Sequence, residues 1–378
     1  MAGIYLHIPF CKQACHYCDF HFSTNTSTRA DMVNALVTEL TLRKGYLGSP
    51  GTIDTIYFGG GTPSLLHPAE LETILHTIHE HFYLASSPEI TLEANPDDLT
   101  PERLRLLHAA GINRLSIGIQ SFHDTVLEFL NRAHTGASAL TAVADARQAG
   151  FDNISIDLIY AIPGQSTADW RDNITRALDL QPQHISAYSL TIEKKTVFGH
   201  RAAQGILHAV EDDLAAQQLD LLVGILAQAG YEHYEVSNFC KPGLHSRHNS
   251  SYWRQTGYLG IGPSAHSYNG TTRQHNISNN AAYLRNLAKN QIPAQIEQLQ
   301  REDHINEYIL TTLRTSWGCD LERLRQLYQY DLDTEYAQYL ETLYAQGLAT
   351  REGHQLKLTQ KGRLLADKIA SDLFAEKS

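Results

Sequence analysis

An α/β fold built on a parallel sheet, curved into a partial (β/α)6 TIM-type barrel, is what this sequence predicts. Six short β-rich runs recur through its first half, at residues 3–9, 54–60, 89–96, 114–121, 153–163 and 184–192. Helical patterns lie between them, and two of these, PERLRLLHAAG and ASALTAVADARQAG, end in the glycine favoured just past a helix C-terminus. Such alternation builds a parallel sheet with crossover helices, either open or curled into a barrel. The polar residues choose between the two. The first run leads into three cysteines and the second into GGGTPS; the third holds Glu93, the fourth ends in Gln120, the fifth holds Asp157 and the sixth leads to Thr191. Functional groups collect at the C-terminal ends of parallel strands. Polar ends on every strand fit a ring around one site better than a single crevice.

The rhythm changes after residue 200, so residues 1–230 are read as the barrel. Residues 231–299 read as a mixed connecting region rich in Gly, Asn and aromatic residues, a composition of ordered loops and short strands. Residues 300–378 read as a C-terminal α+β unit whose closing helix, short hairpin and helix resemble a winged helix.

Composition narrows the function. At 378 residues and 42% hydrophobic, the chain can build a large core. No apolar run approaches the ~20 residues of a membrane helix. The start, MAGIYLHIPF, has no basic segment of a secretory signal, so neither export nor a membrane anchor is expected. A net charge of −11 weighs against nucleic-acid binding, including by the C-terminal unit. Five cysteines, three of them clustered, argue against a disulfide framework and for a reducing compartment; a cytoplasmic protein is expected. Most of the 20 histidines are expected to be solvated.

Cys11, Cys15 and Cys18 stand at C-x3-C-x2-C spacing. Thiolates at this spacing can share one metal centre. Structural zinc would need a fourth ligand, for which His16, His21 or a distant residue would serve. An iron–sulfur cubane explains the missing ligand differently: three cysteines hold three irons and the fourth iron stays open to a small molecule. Cys240 and Cys319 have no partner motif in the sequence and read as free structural thiols.

C-x3-C-x2-C directly after a first strand, with an aromatic residue before the third cysteine, resembles the signature of the radical S-adenosylmethionine superfamily. The resemblance implies a 4Fe–4S cluster on Cys11, Cys15 and Cys18, with S-adenosylmethionine chelating the fourth iron, and a partial (β/α)6 barrel. Further positions resemble the oxygen-independent coproporphyrinogen oxidase branch. Tyr5 in YLHIPFC, Tyr17 in HYC, Gly60, Gly61 and Thr62 in GGGTP, Glu93, Gln120, Arg132, Asp157 and, more weakly, Thr191 match its S-adenosylmethionine-binding positions. Read without the family, GGGTP serves equally as a strand–helix turn, Glu93 and Asp157 as satisfied barrel carboxylates, and Arg132 as a helix-face ion pair.

Two departures from those enzymes stand out: Phe20 occupies the position of their fourth cysteine, and the chain reaches Cys11 without their N-terminal arm. Both, together with His248, Asn249, Tyr252 and Trp253 of the H-N-x-x-Y-W motif, resemble the heme chaperone family called HemW. Chemically, a histidine can ligate heme iron and aromatic side chains offer flat faces to a porphyrin, with Asn249 a candidate to orient the imidazole. His245 and, in GIGPSAHSYNG, His266 are further candidates to face a ligand.

The implied protein binds heme and passes it to an acceptor protein, with a reductant serving the cluster. The cluster's part stays open between gating heme transfer, assisting homodimer formation and supporting a residual radical reaction. The alternative is radical oxidative decarboxylation of coproporphyrinogen III propionates. A redox-sensing winged-helix regulator is disfavoured by charge.

Overall fold

The computed structural model describes residues 2–48 and 51–376; the outermost residues of the first and last expected units, residue 1 and residues 377–378, lie outside the described residues. Six strands pair in parallel in chain order: β1 (Ala2–Ile8), β2 (Thr52–Gly60), β3 (Tyr83–Ala94), β4 (Arg114–Gln120), β5 (Ile154–Tyr160) and β6 (His184–Ser189). Helices Arg29–Leu42, Pro68–His81, Pro101–Ala109, Gly136–Gln148 and Thr167–Asp179 form the crossovers. The central residues of these strands are covered on both faces, which demands runs such as ISIDLIY rather than apolar–polar alternation. Within these buried runs, the half-buried residues mark the barrel interior. In β1 and β5 the one residue that is not fully buried is Tyr5 and Asp157 respectively, and Glu93, Gly118 and Gln120 are likewise half-buried in β3 and β4.

The region expected to connect two units instead extends the barrel sheet at both of its edges. Strands β7 (Glu232–Glu235) and β8 (Asn238–Cys240) add to it with β8 antiparallel to β6. At the other edge β9 (Tyr258–Ile261) lies parallel to β1, followed by β10 (His266–Tyr268), β11 (Thr272–Asn276) and β12 (Ala294–Gln298). Strands of 3–5 residues with mixed polarity give no clear period in the sequence, which is why this part reads as ordered loops and short strands without individual strands being placed. The helix Arg247–Trp253 carries the chain from one edge to the other.

Glu39 on the first crossover helix and Arg43 just past its C-terminal end, both buried, tie that outer sheet down. Glu39 accepts from Gly262 N, Asn276 Nδ2 and the Tyr283 hydroxyl, and Arg43 donates to Gly260 O and Gln274 Oε1.

Beyond residue 300 a second cluster of buried side chains, including Ile305, Ile309, Leu324, Leu356 and Ile369, forms a separate core. Helix Arg301–Leu313 is followed by β13 (Cys319–Asp320), helices Leu321–Tyr328 and Ala337–Ala345, β14 (Ala349–Glu352) and β15 (Gln355–Leu358), with the three strands ordered β13-β15-β14. Ser316 N donates to Tyr234 O and Arg363 Nη1 to His233 O, joining this part to β7. No helix among the described residues is long and apolar enough to cross a membrane.

Candidate functional site

The cysteine loop leaves the C-terminal end of β1 and is pinned by backbone bonds at its ends and middle. Cys11 N donates to Ser23 O at 3.0 Å, Ser23 N to Pro9 O at 2.9 Å, and His16 N to Leu130 O at 3.1 Å. From the neighbouring strand Gly61 N donates to Ile8 O at 2.9 Å and Thr62 N to Phe10 O at 2.7 Å. A Cβ on Gly61 would stand 2.7 Å from Phe10 O and 2.8 Å from Ile8 O. The glycine therefore admits the cysteine loop itself, and Gly60, at φ 103°, packs against the His7 ring. Gly61→Ala is expected to lose about 1–3 kcal/mol through overpacking and to lower iron incorporation; urea unfolding and iron analysis read both effects.

All three thiols are half-buried and free of disulfides. Among the described residues, one group of His, Cys, Asp and Glu ligand atoms converges within 4.8 Å, and it is Glu232, Cys240 and His245. Of the histidines that zinc would recruit, His16 has Nδ1 on Phe129 O at 3.0 Å, and His21 has Nε2 on Asn280 Oδ1 at 2.7 Å, which leaves each with one ring nitrogen. Three half-buried thiols on one pinned loop fit a cluster with one open iron.

A hydrogen-bonded network joins the loop to the strand ends. Thr62 Oγ1 donates to Cys11 Sγ at 3.4 Å, and Asn95 Nδ2 donates to Thr62 Oγ1 at 3.3 Å. Arg132 donates through Nη2 to Asn95 Oδ1 and Gly118 O, each at 2.7 Å, and through Nη1 to Cys15 Sγ and the Tyr17 hydroxyl, each at 3.4 Å. Its buried Nε has no partner among the described residues. Asn95 is the member the sequence reading passed over, since nothing in LEANPDD separates it from an ordinary turn residue.

Inside the barrel, burial pushes the Glu93 carboxyl up to about 7 despite the hydrogen bond it accepts from Tyr57 at 2.7 Å. Burial also raises Asp157, against bonds from Ser186 and Ser116. Tyr5 bonds to His7 Nδ1 at 3.2 Å. Gln120 ends β4 at φ 65°, just past a register shift. Thr191 lies exposed beyond β6, outside this network.

The H-N-x-x-Y-W motif forms the helix Arg247–Trp253, and its side chains diverge. His248 enters the barrel beside the starts of β1 and β2, only 1% exposed, with Nδ1 bonded to Thr55 Oγ1 at 2.7 Å and Nε2 to the Tyr252 hydroxyl at 2.8 Å. Its ring stacks on Tyr57 with centroids 4.9 Å apart. Asn249 N is capped by Ser246 Oγ, and Trp253 lies under the Arg314 guanidinium at 5.5 Å. His245 faces Glu232 and Cys240 rather than His248, so Cys240 has neighbours that the sequence did not show.

Burial lowers His248 from 6.5 to about 3. The unfolded chain takes up that proton near 6.5 and the folded one near 3, so its contribution to stability is full above 6.5 and lost as pH falls toward 3. Relative to a His248→Phe variant, the unaltered protein is expected to lose stability more steeply across that window in denaturant titrations.

A cavity of ≈ 650 Å³ opens directly beside the cysteine loop. Phe20 and His21 form one wall, Tyr252, Tyr258 and His266 another, and helix Arg301–Leu313 closes it from the C-terminal side.

A parallel six-stranded barrel with three thiols at its mouth defines a radical S-adenosylmethionine protein. Residues 5–177 match the Radical SAM superfamily, and residues 299–365 match the HemN C-terminal domain. The fold is similar to that of coproporphyrinogen III oxidase HemN from Escherichia coli, with a TM-score of 0.85 at 24% identity, covering 99% of this chain and 90% of that one. Heme chaperone HemW of Mycobacterium tuberculosis is 39% identical over 98% of this chain and 94% of its own length. That of Bacillus subtilis is 35% identical over 100% of both. The chain belongs to the HemW heme chaperone family.

Proposed function

We propose that this protein is a cytoplasmic heme chaperone that binds heme, carries a 4Fe–4S cluster with exchangeable S-adenosylmethionine, and delivers heme to an acceptor protein. The observation that carries this reading is the cavity beside the thiols, walled by Phe20 where the related enzymes place a fourth cysteine. Phe20 is 68% exposed, an apolar surface that a flat apolar ligand would cover.

Cys11, Cys15 and Cys18 would hold the cluster. Tyr5, Tyr17, Gly60, Gly61, Thr62, Glu93, Gln120, Arg132, Asp157 and Thr191 are the candidate contacts for S-adenosylmethionine. When bound, the cluster with this cofactor supplies one-electron reductive chemistry. The chain's own residues do the rest. Arg132 holds the loop to the ends of β3 and β4 and brings a fixed positive charge to the thiols. Glu93, facing the interior, can accept from a ribose hydroxyl once ionised. A reductant would have to reach the loop, and its half-exposed thiols are compatible with that.

The competing reading is a coproporphyrinogen dehydrogenase, and product analysis separates the two. The cluster-bearing protein is incubated anaerobically with S-adenosylmethionine, reductant and coproporphyrinogen III. A chaperone leaves the propionates intact; a vinyl-bearing product formed over many turnovers would replace the chaperone reading with the catalytic one.

A further inference from the structure

Three histidines line the cavity, and they differ in what their ring nitrogens already do. His7 bonds the His21 carbonyl through Nε2 at 2.8 Å and the Tyr5 hydroxyl through Nδ1 at 3.2 Å. His21 holds Asn280 through Nε2. His266 is exposed, stacks on His275 across β10 and β11 with centroids 5.6 Å apart, and has no hydrogen bond to its ring nitrogens from the described residues. His248, by contrast, is buried with both nitrogens bonded. Its route to the cavity is indirect: Nε2 holds the Tyr252 hydroxyl, and Tyr252 is a cavity wall that packs edge-on against Tyr258 at 4.6 Å.

We propose that heme is held in this cavity with His266 as the axial ligand of the iron and Arg273 on a propionate, and that His248 is a positioning residue acting through Tyr252. The placement rests on the heme-carrier reading. Iron takes an imidazole nitrogen that is not spent on another bond. Among the described residues His21 keeps Nδ1 free while its Nε2 holds Asn280, and His266 is the lining histidine with both nitrogens free and an exposed ring. The porphyrin faces meet Phe20, Tyr252 and Tyr258. Arg273 is the one Lys or Arg of the lining among the described residues; it pairs with Glu307 through Nη2 and with Glu297 through Nη1 at 3.8 Å, yet its side chain stays 36% exposed. A guanidinium has five N–H donors, and a propionate would take up those that Glu307 leaves, in place of the long 3.8 Å contact to Glu297. The volume of ≈ 650 Å³ lies within the range of about 300–1,000 Å³ that bound organic ligands occupy.

The test is a titration of hemin into the anaerobically purified, cluster-bearing full chain, followed by the Soret band and by the electron spin resonance of ferric heme. His266→Ala is expected to shift the band, change the ligand signature and weaken binding about tenfold or more, with added imidazole restoring the signature. His248→Ala is expected to bind more weakly with the band position unchanged. Where His248→Ala does not accumulate as folded protein, Tyr252→Phe removes only the hydroxyl that His248 holds. Weaker binding with an unshifted band supports the positioning role, and unchanged binding overturns it. His266→Ala saturating with unaltered band and affinity, or His248→Ala losing the signature, overturns the placement alone. Absence of saturable binding in the unaltered protein overturns the carrier reading and the placement with it.

Discussion

Arg43→Met is expected to destabilise the protein by about 3–5 kcal/mol, because it strands a buried carboxylate. Glu39 is 0% exposed and Arg43 4% exposed, with Nη1 and Oε1 3.1 Å apart. Three further donors reach Glu39, but none carries a charge: Gly262 N, Asn276 Nδ2 and the Tyr283 hydroxyl. Arg43 in turn satisfies Gly260 O, Ser267 Oγ and Gln274 Oε1. The pair therefore joins the first crossover helix to β9, β10 and β11, which carry His266 and Arg273 at the cavity. Loss of the cation should loosen that wall as well as lower the unfolding midpoint in urea. Replacing Glu39 and Arg43 together by methionine should cost less than Arg43→Met alone, since no buried charge is then left unpaired. A single variant within about 1 kcal/mol of the unaltered protein would contradict the role given to the pair.

Cys15→Ala is expected to abolish cluster assembly. Anaerobic reconstitution of the unaltered chain should give about four irons and four sulfides, and the variant close to none. Cys15 is the thiol that Arg132 addresses, so its loss removes a ligand and leaves the Arg132 Nη1 contact without its sulfur. Cys319→Ala is the matched control: that thiol is fully buried in the C-terminal core, far in sequence from the loop. Full iron content in Cys15→Ala would mean that a different residue completes the site.

The six barrel strands were legible because burial on both faces leaves little freedom in composition. The same constraint made the interior residues conspicuous. Tyr5, Glu93, Gln120 and Asp157 are polar or amphipathic positions in otherwise apolar strands, and the structure turns them into the barrel. The C-x3-C-x2-C loop was legible from spacing alone. What sequence could not give was how distant segments meet. The glycines of GGGTP read as a cradle for a ligand, but Gly61 is required first by the backbone of Phe10, 51 residues earlier in the chain. The H-N-x-x-Y-W motif read as a heme-ligating unit. The fate of His248 depends on Thr55 and Glu89, 193 and 159 residues away, which take up its ring and its backbone N–H. Local spacing says nothing about such partners. His266 stood in the sequence as a minor candidate; only the pairing of β10 with β11 and the closure by helix Arg301–Leu313 set it at the cavity.

The central claim is that this chain binds heme as cargo. Its most direct test is the stoichiometry of heme bound by the unaltered, cluster-bearing protein under anaerobic conditions, read from the Soret band. Saturation at about one heme per chain is the predicted result. A linear, unsaturable rise that matches hemin in buffer would contradict it and leave the aromatic cavity to a different ligand.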